Sequence, residues 1–172
     1  MSKTLLWPSR RMKDYRQHLP MNCGGVATVF SLYGPNQVVP ESMLQVLAQE
    51  RVSAAQIERL INQGGKAEIR AKAYYAGSKI DVASSEKRDI AYLEECSESV
   101  LPEALKSLLE YQKARCLILS CHTRLGPHWQ TCYLSSGELK WYNAFPVWRP
   151  VLSIKWLGTP VGLVVVFGPA MQ

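Results

Sequence analysis

The sequence lacks a hydrophobic run long enough for a signal peptide or a membrane span. Its apolar stretch before Pro8 is only the three residues LLW, whereas a signal peptide needs an apolar region of about 7–15 residues. The last apolar run, residues 161–167, has the length of a strand and contains Gly162. We therefore expect no membrane span and a cytoplasmic location. The alternative is secretion as an effector without a cleavable signal peptide.

Cysteine and histidine are too few, and too irregularly spaced, to indicate a disulfide framework or a metal site. The five cysteines are an odd number, and the sequence contains neither a CxxC pair nor a His-x-x-x-His pair. Cys121 and His122 are adjacent, and adjacent side chains of a strand point to opposite faces, so they are poor co-ligands. We expect a reducing compartment, which keeps a catalytic thiol usable, and no metal or other cofactor.

The charge balance excludes few classes of function, and the sequence contains no specific nucleic-acid-binding motif. Twenty basic residues against fourteen acidic ones give a net charge of +6. The one dense basic cluster is Arg10, Arg11, Lys13 and Arg16, and it carries no motif of a nucleic-acid-binding fold. We interpret it as a solvated surface and expect no specific nucleic-acid partner.

Length and apolar content predict one domain of the α+β class. A chain of 172 residues with 47% hydrophobic residues can bury one sizeable core, so we expect a single domain over residues 1–172, with residues 1–16 as a candidate N-terminal arm. Helical spacing and helix-end residues come first, and short β-rich segments separated by Gly, Pro or Ser follow. The predicted helices are 23–34, 40–50, 53–65 and 101–114, and the predicted strands are 115–123, 128–136, 138–145, 151–157 and 162–168. Between the two sets, residues 67–76 fit a strand or a short helix, and residues 84–89 a surface turn.

Cys23 is the candidate nucleophile because it stands at the start of the first predicted helix. A helix N-terminus lowers the pKa of a thiol through its unpaired N–H groups and its dipole. Gly24 and Gly25 remove side chains that would obstruct a substrate backbone and leave N–H groups facing the site. A small buried core cysteine is the alternative interpretation.

A cysteine hydrolase also needs an imidazole that takes the thiol proton and a group that orients the ring. Of the three histidines, His128 begins a strand after the turn RLGP, a position that is both rigid and open to a cleft. If the turn at residues 135–138 closes a hairpin centred near residue 136, residue 128 pairs with about residue 144. Asn143 would then be a cross-strand neighbour of His128.

Gln17 completes the candidate set. It lies six positions before Cys23, on the segment that leads into the helix. Its side-chain amide is suited to donate a hydrogen bond to a developing oxyanion, together with the N–H of Cys23. The order Gln, Cys, His, Asn along the chain is what makes the four residues more informative together than singly.

This order resembles the papain-like cysteine peptidases, and among them the double-glycine leader peptidases, which process bacteriocins, and their stand-alone relatives. The matching segments are QHLPMNCGG, HWQTCYLSSGELKWYNAF and LSIKWLGTPVGLVVVFGPA. The resemblance implies a papain-like fold and a thiol peptidase acting on a peptide or protein. From the residues themselves we expect substrate contacts at Gly24 and at Trp129, with Trp148 as the alternative to Trp129 in lining the cleft. Asn143 stands where that family usually has Asp, which gives a triad of the papain type. No exporter portion follows in this sequence, so we expect a free-standing enzyme.

Two other functions fit the same residues. A glutamine deamidase or transglutaminase, acting as a toxin or effector, would use the same triad and the same thioester. A non-catalytic relative that binds leader peptides would keep the cleft and have an unreactive thiol at Cys23.

Overall fold

A computed structural model describes residues 11–14, 22–74, 79–81, 87–89, 101–123, 126–142 and 162–171. The architecture is α+β, with a mainly helical first part followed by strands of an antiparallel five-stranded sheet. The predicted class is therefore confirmed at this level. The described helices are α1 (Cys23–Tyr33), α2 (Leu44–Leu47), α3 (Ala54–Asn62) and α4 (Leu101–Gln112), with 3₁₀ turns at Met12–Asp14 and Glu41–Met43.

The sheet is assembled from strands that are not all consecutive along the chain. Its order is β1, β7, β4, β5, β6, and every described pairing is antiparallel. A separate pair, β2 with β3, lies outside it. The strands are β1 (Arg70–Tyr74), β2 (Lys79–Asp81), β3 (Lys87–Asp89), β4 (Ala114–Thr123), β5 (Gly126–Ser135), β6 (Glu138–Tyr142) and β7 (Leu163–Phe167).

Helix α1 is the centre of one of two apolar layers that cover the sheet. All of its residues except Tyr33 are buried, and Phe30 stacks on Tyr142 of β6 with ring centroids 4.0 Å apart. Gly34 ends the helix at φ 78°, and its N–H donates to the carbonyl of Phe30; this is the helix end predicted at Gly34. The opposite layer, which includes Leu105 and Leu109 of α4, packs on the other face of the sheet.

Helix α3 is fixed at both ends by side-chain hydrogen bonds. Ser53 and Gln56 form a reciprocal capping box at its start. At its end, Asn62 donates to the carbonyl of Ala71 at 3.1 Å and accepts from the N–H of Ala71 at 2.8 Å. Because β1 is an edge strand, these bonds satisfy main-chain groups that the sheet leaves unpaired.

The hairpin between β5 and β6 forms at the predicted turn. Ser136 and Gly137 both have positive φ, 52° and 76°, as a two-residue type I′ turn requires, and Ser135 pairs with Glu138. The turn is thus centred between residues 136 and 137. The centre predicted from the sequence, residue 136, was half a residue too early. The estimated partner of residue 128 therefore changes from about residue 144 to about residue 145.

Four local expectations need correction or completion. Within residues 67–76, the two alternatives resolve as the strand β1, paired with β7. Residues 87–89, expected in a surface turn, form β3, because they find a partner in β2. The helix expected over residues 40–50 is a 3₁₀ turn followed by the single turn α2. The strand expected over residues 151–157 lies outside the described residues.

None of the helices in the described ranges is both long enough and apolar enough to cross a bilayer.

The capping box of α3 gives a stability prediction. Replacing Ser53 with Ala leaves the N–H of Gln56 without its side-chain acceptor, so we expect the free energy of unfolding to fall by about 1 kcal/mol, measured by urea denaturation. Ser107→Ala, inside α4, is the control and should cause no loss, because Ala favours a helix interior. Equal effects of the two substitutions would contradict this role of Ser53.

Candidate functional site

Cys23 is the first residue of α1, and its side chain is 7% exposed. The preceding residue, Asn22, is buried and donates from Nδ2 to the carbonyl of Leu47 at 3.0 Å. Its own carbonyl accepts the first helical hydrogen bond, from Val26. Asn22 therefore fixes the start of α1 against the end of α2, and with it the position of the thiol.

The thiol meets strand β5 at a main-chain donor. The N–H of Trp129 donates to Cys23 Sγ at 3.5 Å, across 106 residues of sequence. From Ser135 at the hairpin turn, every second residue of β5 directs its N–H toward β6, and this series continues through Tyr133 and Thr131 to Trp129. The N–H of Trp129 therefore points away from β4, toward the side of β5 on which β6 lies, and Cys23 Sγ accepts it there.

His128 directly precedes Trp129 on β5 and is 4% exposed. Because the peptide bond joins these residues, the contact of Sγ with the Trp129 nitrogen keeps the sulfur within roughly 6 Å of His128 Cα. Side chains alternate along a strand, so His128 leaves β5 on the face of Cys132, whereas Trp129 leaves it on the face of α1. The structure thus brings the thiol close to the backbone of His128, while Cys23 itself packs in the layer on the α1 face.

The other two residues of the predicted set, Gln17 and Asn143, lie outside the described residues. Asn143 follows directly on Tyr142, the last described residue of β6, which pairs with Thr131 of β5. The roles of Gln17 as oxyanion donor and of Asn143 as orienting residue remain predictions.

Burial and hydrogen bonding act on the thiol in opposite directions. Burial is the larger effect and raises the pKa of Cys23, while the main-chain N–H groups of Trp129, Gly24 and Cys23 itself lower it. The net direction is upward, so the expectation that the helix N-terminus alone would lower this pKa was wrong. The thiolate-stabilising donors are present, but desolvation outweighs them.

The glycines after Cys23 have a packing role that the sequence did not reveal. A Cβ at Gly24 would collide with Cγ2 of Val52 and lie 3.1 Å from Cδ1 of Trp129. A Cβ at Gly25 would collide with the carbonyl oxygen of Val46 and lie 3.0 Å from that of Leu47. Gly24 thus lets the N-terminal turn of α1 approach the side chains of Val52 and Trp129, and Gly25 lets it approach the backbone carbonyls of Val46 and Leu47.

Trp129 is built into this packing. Its side chain is 8% exposed, and its indole Nε1–H donates to the carbonyl of Val52 at 3.1 Å. Sequence reasoning missed Val52 and Asn22 as parts of the site. Neither carried a usable signal. Asn is a preferred residue immediately before a helix because it caps it, but the side chain of Asn22 makes no capping hydrogen bond and instead contacts the distant Leu47. The substrate contacts predicted for Gly24 and Trp129 stay predictions.

Two other cysteines lie in the core. Cys116 and Cys132 are free and fully buried, and burial raises the pKa of Cys116 to about 12. Within the described part of the chain, no group of three or more His, Cys, Asp or Glu side chains could hold a metal ion.

A cavity of about 170 Å³ lies at the other end of α1, near Tyr33 and Arg115. The Arg115 guanidinium is buried and donates from Nε to the carbonyl of Ser31 and from Nη1 to that of Pro169, both at 2.7 Å. Arg115 thereby satisfies the carbonyl end of α1. The residues that line the cavity include Leu32 and Tyr33 at this end of the helix, and Cys23 is not among them.

Comparison with known proteins gave no assignment: no family model, no curated protein and no solved structure matches this chain. Function is therefore argued from the residues around Cys23 and their geometry.

The close approach at Gly24 gives a second prediction. Gly24→Ala adds a methyl group where Val52 and Trp129 already pack, so we expect a loss of about 1–3 kcal/mol in the free energy of unfolding. Gly137→Ala is the comparison: nothing lies within 4 Å of a Cβ there, and only the positive φ of 76° opposes it, at about 1 kcal/mol. Thermal and urea unfolding measure both. A Gly24→Ala variant as stable as wild type would contradict the close packing.

Proposed function

We propose that this protein is a cysteine hydrolase with a papain-like fold, acting as a thiol peptidase on a peptide or protein. Cys23 is the nucleophile, His128 the general base and acid, Asn143 the residue that orients the imidazole, and Gln17 an oxyanion donor. The reaction needs no cofactor. The proposal rests on residue types, their order and the geometry around the thiol.

The observation that carries the proposal is the hydrogen bond from the N–H of Trp129 to Cys23 Sγ. It joins a thiol at a helix N-terminus to the strand residue next to His128. The contact keeps the sulfur within roughly 6 Å of His128 Cα. A nucleophile and its base must be held within reach of one another.

The chemistry follows from the groups present. The His128 imidazole accepts the proton of Cys23, and the thiolate is stabilised by the N–H groups of Trp129, Gly24 and Cys23. The sulfur attacks the substrate carbonyl carbon, and the oxyanion is held by Gln17 and by the N–H of Cys23. The amine leaves with the proton from the imidazolium, and water then cleaves the thioester, returning the proton to Cys23.

The raised pKa of Cys23 defines the role that His128 must have. Burial alone keeps the thiol protonated near neutral pH, so the helix N-terminus does not activate it unaided. A nearby imidazolium would lower the pKa of the thiol by charge interaction and provide the proton acceptor in the same step. Without that contribution the site would be inert.

The burial and raised pKa of Cys23 favour a second candidate, the non-catalytic relative that binds leader peptides. A buried thiol with a raised pKa is what such a protein would contain. The deamidase or transglutaminase alternative shares the triad and the thioester with the peptidase, and it differs in the acyl group that the cleft admits.

Alkylation by iodoacetamide as a function of pH separates the catalytic and non-catalytic proposals, with each modified cysteine located by mass spectrometry. We expect wild-type Cys23 to react with an apparent pKa below the ~8.5 of a free thiol. In His128→Ala, burial acts unopposed by the imidazole, so the apparent pKa of Cys23 should rise above that value and the rate at neutral pH should fall.

Tyr111→Ala, at a half-exposed position of α4, is the matched control and should leave the profile of Cys23 unchanged. If Cys23 of the folded wild-type protein reacts no faster than Cys116 and Cys132, which are fully buried, the hydrolase proposal is wrong and the binding-module candidate stands.

Intact-mass analysis of a target protein distinguishes peptidase from deamidase. Two fragments whose masses sum to that of the target plus water mark peptide-bond hydrolysis, whereas a gain of about 1 Da marks hydrolysis of a side-chain amide, since both follow from the same thioester. Cys23→Ala must abolish either change while circular dichroism shows an intact fold. Turnover by the folded alanine variant would contradict the role of Cys23.

A further inference from the structure

We infer that Trp129 is a positioning residue for the nucleophile: its indole, anchored on Val52 and seated against Gly24, holds its own main-chain N–H on Cys23 Sγ. The inference rests on the proposed function and deepens it. It assigns to Trp129 a task other than the substrate contact expected from the sequence.

The first step is the anchoring of the indole. Nε1–H donates to the carbonyl of Val52 at 3.1 Å, and both groups are buried. On the other side of the ring system, a Cβ at Gly162 would lie 3.3 Å from Cη2 of Trp129. Because the indole is held at its nitrogen and at its far edge, rotation about its two side-chain torsions is restricted.

The second step is the contact between the indole and the helix that carries the thiol. The Gly24 backbone lies so near that a Cβ there would be 3.1 Å from Trp129 Cδ1 and 3.5 Å from Nε1. The same position would collide with Cγ2 of Val52. Val52 and Trp129 therefore form one surface, and the first turn of α1 packs directly against it.

The third step joins these contacts to the sulfur. The main-chain N–H of Trp129 donates to Cys23 Sγ, so a single residue contacts α1 through its ring and the nucleophile through its backbone. A displacement of the ring displaces α1 relative to β5. The distance between Cys23 Sγ and the strand that carries His128 is thus set by how the indole is seated.

The magnitude of such an effect is large in enzymes. A misplacement of about 1 Å between reacting groups costs roughly 100-fold in rate. The 3.5 Å distance from the Trp129 nitrogen to Sγ is ordinary for a sulfur acceptor. Lengthening it would destabilise the thiolate more than the protonated thiol, because a charged acceptor makes the stronger hydrogen bond.

The test is Trp129→Phe, which keeps an aromatic ring and the main-chain N–H but removes the indole nitrogen. Trp141→Phe is the matched control, because Trp141 lies on the adjacent strand β6 and packs with the opposite layer. Val52→Ala is a second variant, which removes Cγ2 from the surface under Gly24 and leaves the carbonyl that accepts from the indole. The readout is the pH profile of Cys23 alkylation in the folded proteins, with thermal unfolding measured in parallel.

We expect Trp129→Phe to raise the apparent pKa of Cys23 by about one unit, which is a tenfold loss of thiolate and of alkylation rate at pH 7. Val52→Ala should change the profile in the same direction and by less, and Trp141→Phe should leave it at the wild-type value. A purely structural role would lower the unfolding temperature of Trp129→Phe without moving the profile.

The outcomes separate this inference from the function on which it rests. If His128→Ala moves the profile but Trp129→Phe and Val52→Ala match Trp141→Phe, the positioning role is wrong and the hydrolase proposal stands. If His128→Ala leaves the profile unchanged, the hydrolase proposal fails, whatever the Trp129 variant does.

Discussion

The close approach of the first turn of α1 to the segment around Val52 is the constraint on which the rest of this site depends. It is possible only because Gly24 and Gly25 have no side chains, since a Cβ at either would collide with Val52 or with the carbonyl of Val46. With that approach made, Cys23 reaches the edge of β5 and meets the N–H of Trp129. The two glycines that follow Cys23 therefore determine where the thiol lies.

The same helix must satisfy its polar groups inside a core. Thr28 and Ser31 donate to carbonyls four residues earlier, both at 2.8 Å, so neither buried hydroxyl needs a partner elsewhere. Asn22 ties one end of α1 to Leu47, and Arg115 donates to the carbonyls of the other end. A helix buried on nearly every side is thereby fixed at both ends, which gives its N-terminus the rigidity that a reactive position requires.

Sequence reasoning succeeded where the determinant is local and failed where it is distant. Gly34, the Ser53 capping box and the Ser136–Gly137 turn each specify their own backbone, and all three were predictable. The insertion of β7 between β1 and β4, the pairing of β2 with β3 and the contact of Gly24 with Val52 depend on residues far apart in sequence. No periodicity or spacing within one segment carries that information, so the candidate residues could be named from the sequence while the packing around Cys23 could not be predicted.

Burial and hydrogen bonding act in opposite directions on the charge state of the Cys23 thiol. Burial removes the thiol from water and disfavours the charged form, whereas three N–H donors favour it. Desolvation exceeds the donors when they act alone, so the balance is sensitive to one further charge. An imidazolium within the reach that β5 allows would supply it, because in a low-dielectric environment a single nearby charge shifts a pKa by one to three units. Burial that suppresses the thiolate in isolation would then strengthen the same ion pair once His128 takes the proton.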